Sequence, residues 1–230
     1  MIARDRGHGA RAAGSRSSFA LRDDGAAQFL PSRVTMRSLR EAARECRGCP
    51  LFRNATQTVF GKGRVSARIV LVGEQPGNEE DLRGEPFVGP AGRVLDDALE
   101  AAGIAREDAY VTNVVKHFKW TPAGKRRLHK KPSAREILAC RPWLDQELEL
   151  VKPEVLVCLG ATAAQALLGR EFRVSVQRGK LVDTALAPKT LATIHPSAVL
   201  RQPTPEDRAR EMARFTADLE VAARLLNGKG

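Results

Sequence analysis

The chain has few cysteines, no long apolar run, and one long window without a single acid. Four cysteines among 230 residues are too few for a disulfide-framed secreted scaffold. The longest uncharged stretch, 155–169, spans 15 residues and holds two glycines, short of the ~20 apolar residues a membrane-crossing helix needs. The first eighteen residues carry four arginines and no apolar segment, so no secretory leader is expected there. No Gly-Lys-Ser/Thr follows a glycine-rich turn, which excludes a P-loop. A reducing, cytoplasmic setting without a membrane partner is the resulting expectation.

What is present is core material and positive charge. Hydrophobic residues make up 43% of the chain, enough for a continuous core. Lys and Arg number 38 against 27 Asp and Glu, a net charge of +11, so a polyanion is the first partner to consider. The surplus is concentrated in residues 116–135, where Lys116, Lys119, Lys125, Arg126, Arg127, Lys130, Lys131 and Arg135 stand with no acid among them. Each phosphate such a run neutralises releases counterions and makes binding salt-sensitive. His117 and His129 lie inside it, and cationic neighbours oppose imidazole protonation. His117 reads as another phosphate contact, and His129 as an available nucleophile.

Residues 1–33, rich in Gly, Ala, Ser and Arg without periodicity, read as a disordered basic tail, with a DNA-grasping arm as the alternative. Residues 34–230 read as one domain. From Met36 a short helix runs into Cys46-Arg-Gly-Cys49. Strands are expected at 68–73, 109–115, 154–159, 181–185 and 190–194, and helices at 91–102, 133–151, 160–168 and from 204 on. Ser133 and Glu136 have the spacing of a capping box, and 116–132 reads as a loop. Alternating strands and helices predict a single-domain, three-layer α/β/α sandwich around a mainly parallel sheet.

Cys46 and Cys49, as C-x2-C, could join Cys140 and Cys158 around a metal. Zinc and an iron–sulfur cluster both accept four thiolates, and the spacing does not choose between them. Gly73, Glu74 and Gln75 fall at the carboxyl end of the first strand, where open α/β sheets bind ligands. Glu74 offers a base and Gln75 a bidentate amide. Asn113 and His195 end two other strands. Phe87, between Pro86 and Gly89 in a loop, offers a stacking face or merely anchors that loop.

GEQPG at 73–77, PFVGPAG at 86–92, TNVVKHFKW at 112–120, HPS at 195–197 and the four cysteines together resemble the uracil-DNA glycosylase superfamily, in its iron–sulfur branch around family 4. Gln75 and KRRLH at 125–129 are similar to the UdgX subgroup, which binds uracil-DNA covalently and usually reads KRRIH, so Leu128 departs from it. The resemblance implies a [4Fe–4S] cluster of structural role on Cys46, Cys49, Cys140 and Cys158. It implies that Phe87 stacks on a flipped-out uracil and that Asn113 bonds the pyrimidine edge, with backbone at Gly73 and Gln75 completing the pocket. His195 would stabilise the leaving uracil, His129 would bond to C1′ of the deoxyribose with Glu74 as its partner, and Lys116, Lys119, Lys125, Arg126, Arg127 and Lys130 would hold phosphates. The expected substrate is uracil-containing DNA, single-stranded at least as readily as double-stranded, for a monomer found with the nucleoid when bound to DNA. A multiple-turnover glycosylase and a non-catalytic iron–sulfur DNA-binding module are the alternatives.

Overall fold

Thr35 opens the first helix, α1 (Met36–Ala43), its side chain accepting the backbone N–H of Ser38 at 3.1 Å. The computed structural model describes residues 25–228; most of the expected tail, 1–24, lies outside the described residues. Gly25–Arg33 does not belong with it. A 3-10 turn at Ala26–Phe29 packs on the fourth helix, and Ala26 is buried in the core. Small residues without a period gave no sign of that burial.

Along the chain follow β1 (Ile69–Gly73), α2 (Asn78–Arg83), α3 (Pro90–Ala101), β2 (Ala109–Asn113), β3 (Trp120–Ala123), β4 (Arg126–His129) and α4 (Ala134–Val151). Then come β5 (Val155–Leu159), α5 (Ala161–Leu168), α6 (Val174–Gln177), β6 (Leu181–Val182), β7 (Lys189–Thr193), α7 (Ser197–Leu200) and α8 (Pro205–Leu226). The main sheet has the order β2-β1-β5-β7-β6, parallel except for β6, which pairs antiparallel to β7. Every residue of β1, β2 and β5 is buried, as expected of parallel strands covered on both faces.

Because successive side chains point to opposite faces, the strands split the core in two. Val70, Val72, Tyr110, Leu156 and Cys158 pack with α1, α4 and α5. Ile69, Leu71, Val111, Val157 and Leu191 pack with α3 and α8. The result is a single α/β domain with helices on both sides of a mainly parallel sheet. The capping box forms as expected, Ser133 N–H donating to Glu136 Oε2 at 2.6 Å and Glu136 N–H to Ser133 Oγ at 3.3 Å.

Two segments differ from expectation. Residues 120–129 are not loop but an antiparallel hairpin, β3 with β4, closed by Gly124-Lys125 between the pair Ala123↔Arg126. Gly124 takes φ 59°, the left-handed geometry a two-residue hairpin turn asks for. Pro122 is tolerated because this ribbon lies outside the main sheet and leaves that residue exposed. Residues 78–83, also read as loop, form α2, whose first turn is acidic, favourable at the positive end of a helix. Glu80 accepts the N–H groups of Gly77 at 3.0 Å and Gly89 at 2.7 Å, joining the starts of α2 and α3.

Candidate active site

Adjacent parallel strands place their carboxyl ends side by side, and β1, β2 and β7 bring Gly73, Asn113 and His195 to that edge. Gly73 pairs with Asn113 across the strands. A Cβ built on Gly73 would lie 2.4 Å from Asn113 Oδ1 and 2.7 Å from Phe87 Cζ, so only glycine lets the amide and the ring approach here. Asn113 is buried, and its Oδ1 has no hydrogen-bond partner. A buried acceptor left unpaired is costly, which marks it as awaiting a donor from a ligand. Phe87 holds φ 56°, an uncommon conformation for a large side chain, and its ring lies 6.0 Å from that of His195 at 28°.

The hydrogen bonds of His195 set its tautomer. Nδ1 accepts the N–H of Ser197 at 3.2 Å and lies 2.8 Å from Ser197 Oγ, which in turn takes Arg201 Nη1 at 2.8 Å. The proton therefore resides on Nε2. Desolvation, helped by the charge of Arg201, lowers the His195 pKa to about 4, so the ring is a neutral N–H donor at pH 7.

His129, at the end of the hairpin and half-exposed, places Nε2 at 3.4 Å from Glu74 Oε1. The other carboxylate oxygen, Oε2, accepts the hydroxyl of Thr162. Burial and Arg201 lower the His129 pKa, against the opposing pull of Glu74, so this imidazole too is neutral with a free lone pair.

Gln75 departs from expectation. Its amide is spent on the hairpin stem, Nε2 donating to Lys119 O at 3.2 Å and Lys130 O at 3.1 Å, while Oε1 accepts the Lys119 N–H at 3.1 Å. It holds the hairpin in place, with both side-chain heteroatoms bonded to backbone of the stem. Lys116 is a second correction. Its ammonium is wholly buried and bonds Glu147 at 2.5 Å and Asn113 O at 2.8 Å, so it cannot meet a phosphate. Removing one partner of such a buried pair costs about 3–5 kcal/mol.

Arg127 is mostly committed as well, to Asp81 at 2.6 Å and Asn78 Oδ1 at 2.8 Å, over the rings of Phe118 and Trp120. Lys119 pairs with Glu136 at 2.8 Å. Lys125, Arg126 and Lys130 remain exposed. Sequence reasoning missed Thr162, Ser197 and Arg201. Thr162 lies just beyond the end of β5 and Ser197 inside the HPS run, whereas Arg201 follows α7 with no local signal.

His117, expected on the surface, is buried beside Thr58 Oγ1 at 2.9 Å, and desolvation lowers its pKa to about 4. An unfolded histidine takes its proton near 6.5, so below that pH the unfolded state binds more protons and stability falls. The loss from this residue between pH 6.5 and 4 is about 3 kcal/mol. Urea midpoints measured from pH 7 to 4.5 are expected to fall, and less steeply in His117→Gln.

The four cysteines are free thiols on one face of the sheet, Cys46, Cys140 and Cys158 within the core and Cys49 packed against it. Burial pushes the Cys140 and Cys158 thiols up to about 12 and raises Cys49. Thiolates there need a compensating positive centre. Trp143 Nε1 donates to Cys46 Sγ and the Lys116 N–H to Cys140 Sγ, both at 3.2 Å, contacts that suit ligating sulfurs. Among the described residues, no three His, Cys, Asp or Glu side chains converge on a single ion. An all-thiolate set is chemically suited to zinc or to an iron–sulfur cluster.

The sequence matches the family model of the uracil DNA glycosylase superfamily over residues 60–220. It is 38% identical to the Type-4 uracil-DNA glycosylase of Thermotoga maritima over 197 residues, 85% of this chain and 96% of that one. With the Type-4 uracil-DNA glycosylase of Archaeoglobus fulgidus it shares 42% identity over 178 residues, 73% of this chain and 86% of the relative. The corresponding protein of Pyrobaculum aerophilum is 35% identical over 177 residues, 74% and 87% of the two chains. The matched segment contains the strand ends that carry Gly73, Asn113 and His195, and on this similarity the chain belongs to the uracil-DNA glycosylase superfamily.

Proposed function

We propose that this protein excises uracil from DNA and is then captured on C1′ of the deoxyribose through His129. The observation that carries the reading is the chain Thr162–Glu74–His129, set beside the strand ends that would hold the base. Asn113 Oδ1 accepts the N3–H of a flipped uracil, Phe87 stacks on its face, and His195 Nε2–H donates to the pyrimidine oxygen that gains charge. The C1′–N1 bond breaks with its electron pair leaving on uracil, and the sugar becomes oxocarbenium-like. A lone pair of the His129 imidazole forms the new C–N bond, and Glu74 takes the proton of the other ring nitrogen. The product is a neutral alkylimidazole, a poor leaving group, so the adduct persists. Extruding the base costs a few kcal/mol in a duplex and less in a single strand, which makes single-stranded DNA at least as good a substrate.

Gln75 and the run Lys125–His129, which resemble the UdgX subgroup, favour capture. The Type-4 relatives favour a second reading, in which Glu74 directs water to C1′ and the protein turns over. A denaturing gel separates the two, with a heat-stable shifted band for capture and abasic product without a shift for turnover.

Cys46, Cys49, Cys140 and Cys158 would hold a [4Fe–4S] cluster, which would cross-link α4, β5 and the segment after α1 as a structural staple. Anaerobically purified protein is expected to contain iron and absorb in the visible range. Zinc without such absorbance would refute this assignment.

A further inference from the structure

Beyond the edge strand β2, the segment 57–64 faces residues 83–88 and the start of α3 across a groove of about 1300 Å3. Lys62 bridges antiparallel to Val111, so this segment extends the sheet edge. Seven arginines and lysines line the groove against three acids. Lys62 pairs with Glu85 at 2.7 Å, Arg106 with Asp96 at 3.1 Å and Arg83 with Glu79 at 3.7 Å, while Arg40 donates to Gly61 O at 3.2 Å. Arg44, Arg64 and Arg93 are exposed and have no carboxylate partner among the described residues. Pro86, Phe87 and Val88 form part of its wall, so the groove borders the loop that offers the stacking ring. No residue of 116–135 lines it; this is a cationic surface separate from the hairpin.

We propose that this groove is a phosphate track for the single-stranded DNA that continues from the flipped nucleotide. The inference rests on DNA being the substrate, and it assigns the strand outside the scissile site a path. Guanidinium groups recognise phosphates in a bidentate fashion, and three of them here lack an internal anion. Gly61, Gly63 and Gly84 line the same groove, where close approach of Tyr110, Ala109 and Gln57 leaves no room for a side chain.

The test uses the full chain and fluorescent DNA without uracil, single strands about 5 and about 25 nucleotides long and a duplex of the longer one, titrated across salt. With Arg44→Gln, Arg64→Gln and Arg93→Gln combined, affinity for the long strand is expected to fall about tenfold or more. Its log K against log salt becomes shallower by about 2, three phosphate contacts at ~0.7 each. Affinity for the short strand, and excision from a short uracil strand, stay at wild-type values. An unchanged salt slope on the long strand overturns the proposal, as does an equal loss on both lengths. A loss seen only with duplex also overturns it, in favour of a duplex-clamping surface. Because the binding strands lack uracil, failure of the excision reading would leave this measurement intact.

Discussion

Changing His129 to Ala is expected to abolish the heat-stable protein–DNA band completely while uracil release continues. The side chain is 49% exposed, so truncation removes little packing and the effect is chemical. A positioned nucleophile acts at effective concentrations on the order of 10⁵ M or more, so under the proposed capture the imidazole would outrun water. Without it, water reaches the oxocarbenium carbon, the product is abasic DNA, and the protein turns over. The wild-type yield of adduct should stay flat through neutral pH and fall only on the acid side of the ordinary imidazole range, since burial and Arg201 hold the His129 pKa down. A denaturing gel over a pH series reads both features. A persistent band in His129→Ala would remove His129 from the mechanism.

Gly73→Ala is expected to lower uracil release by roughly a hundredfold to a thousandfold, on the scale of an ångström-sized misplacement or a lost hydrogen bond at a reacting site. The new methyl would lie within 2.7 Å of both Asn113 Oδ1 and Phe87 Cζ, so the amide and the ring would have to part. Release and adduct fall together, because capture follows bond cleavage. That pattern separates this variant from His129→Ala, which loses the adduct alone. A near-native melting temperature would show that β1 still pairs on both sides. Full activity in Gly73→Ala would mean that the base binds elsewhere.

The residues explain why some of this was readable from sequence and some was not. The runs at Ile69–Gly73 and Val155–Leu159 are buried on both faces and declared themselves by continuous apolarity. Ser133 and Glu136 cap a helix through atoms three residues apart, a purely local signal. Gly73, Asn113 and His195 could be grouped from the sequence because a parallel sheet collects strand ends by rule. The hairpin was hidden because Pro122 and a row of cations mask a strand whose inward contacts are polar. Lys116 read as a surface charge because its partner Glu147 lies 31 residues away and is brought close only by the fold. Gln75 shows the reverse, a polar side chain at a crevice that reads as facing a ligand and instead bonds backbone of the hairpin stem.

A two-stranded ribbon standing alone is marginal in water, so the hairpin has little hold of its own on the body. What fastens it is polar: the amide of Gln75, Arg127 on Asp81, Lys119 on Glu136, and Trp120 Nε1 on Asn54 O at 2.8 Å. The fraction of time the ribbon lies closed is therefore a thermodynamic variable separate from DNA affinity. Under the proposed capture it would multiply the capture rate without touching the rate of base loss. The division of each reaction cycle between a dead-end adduct and a released abasic product would thus be written in these few anchors, and salt that loosens them would shift that division even on DNA already bound.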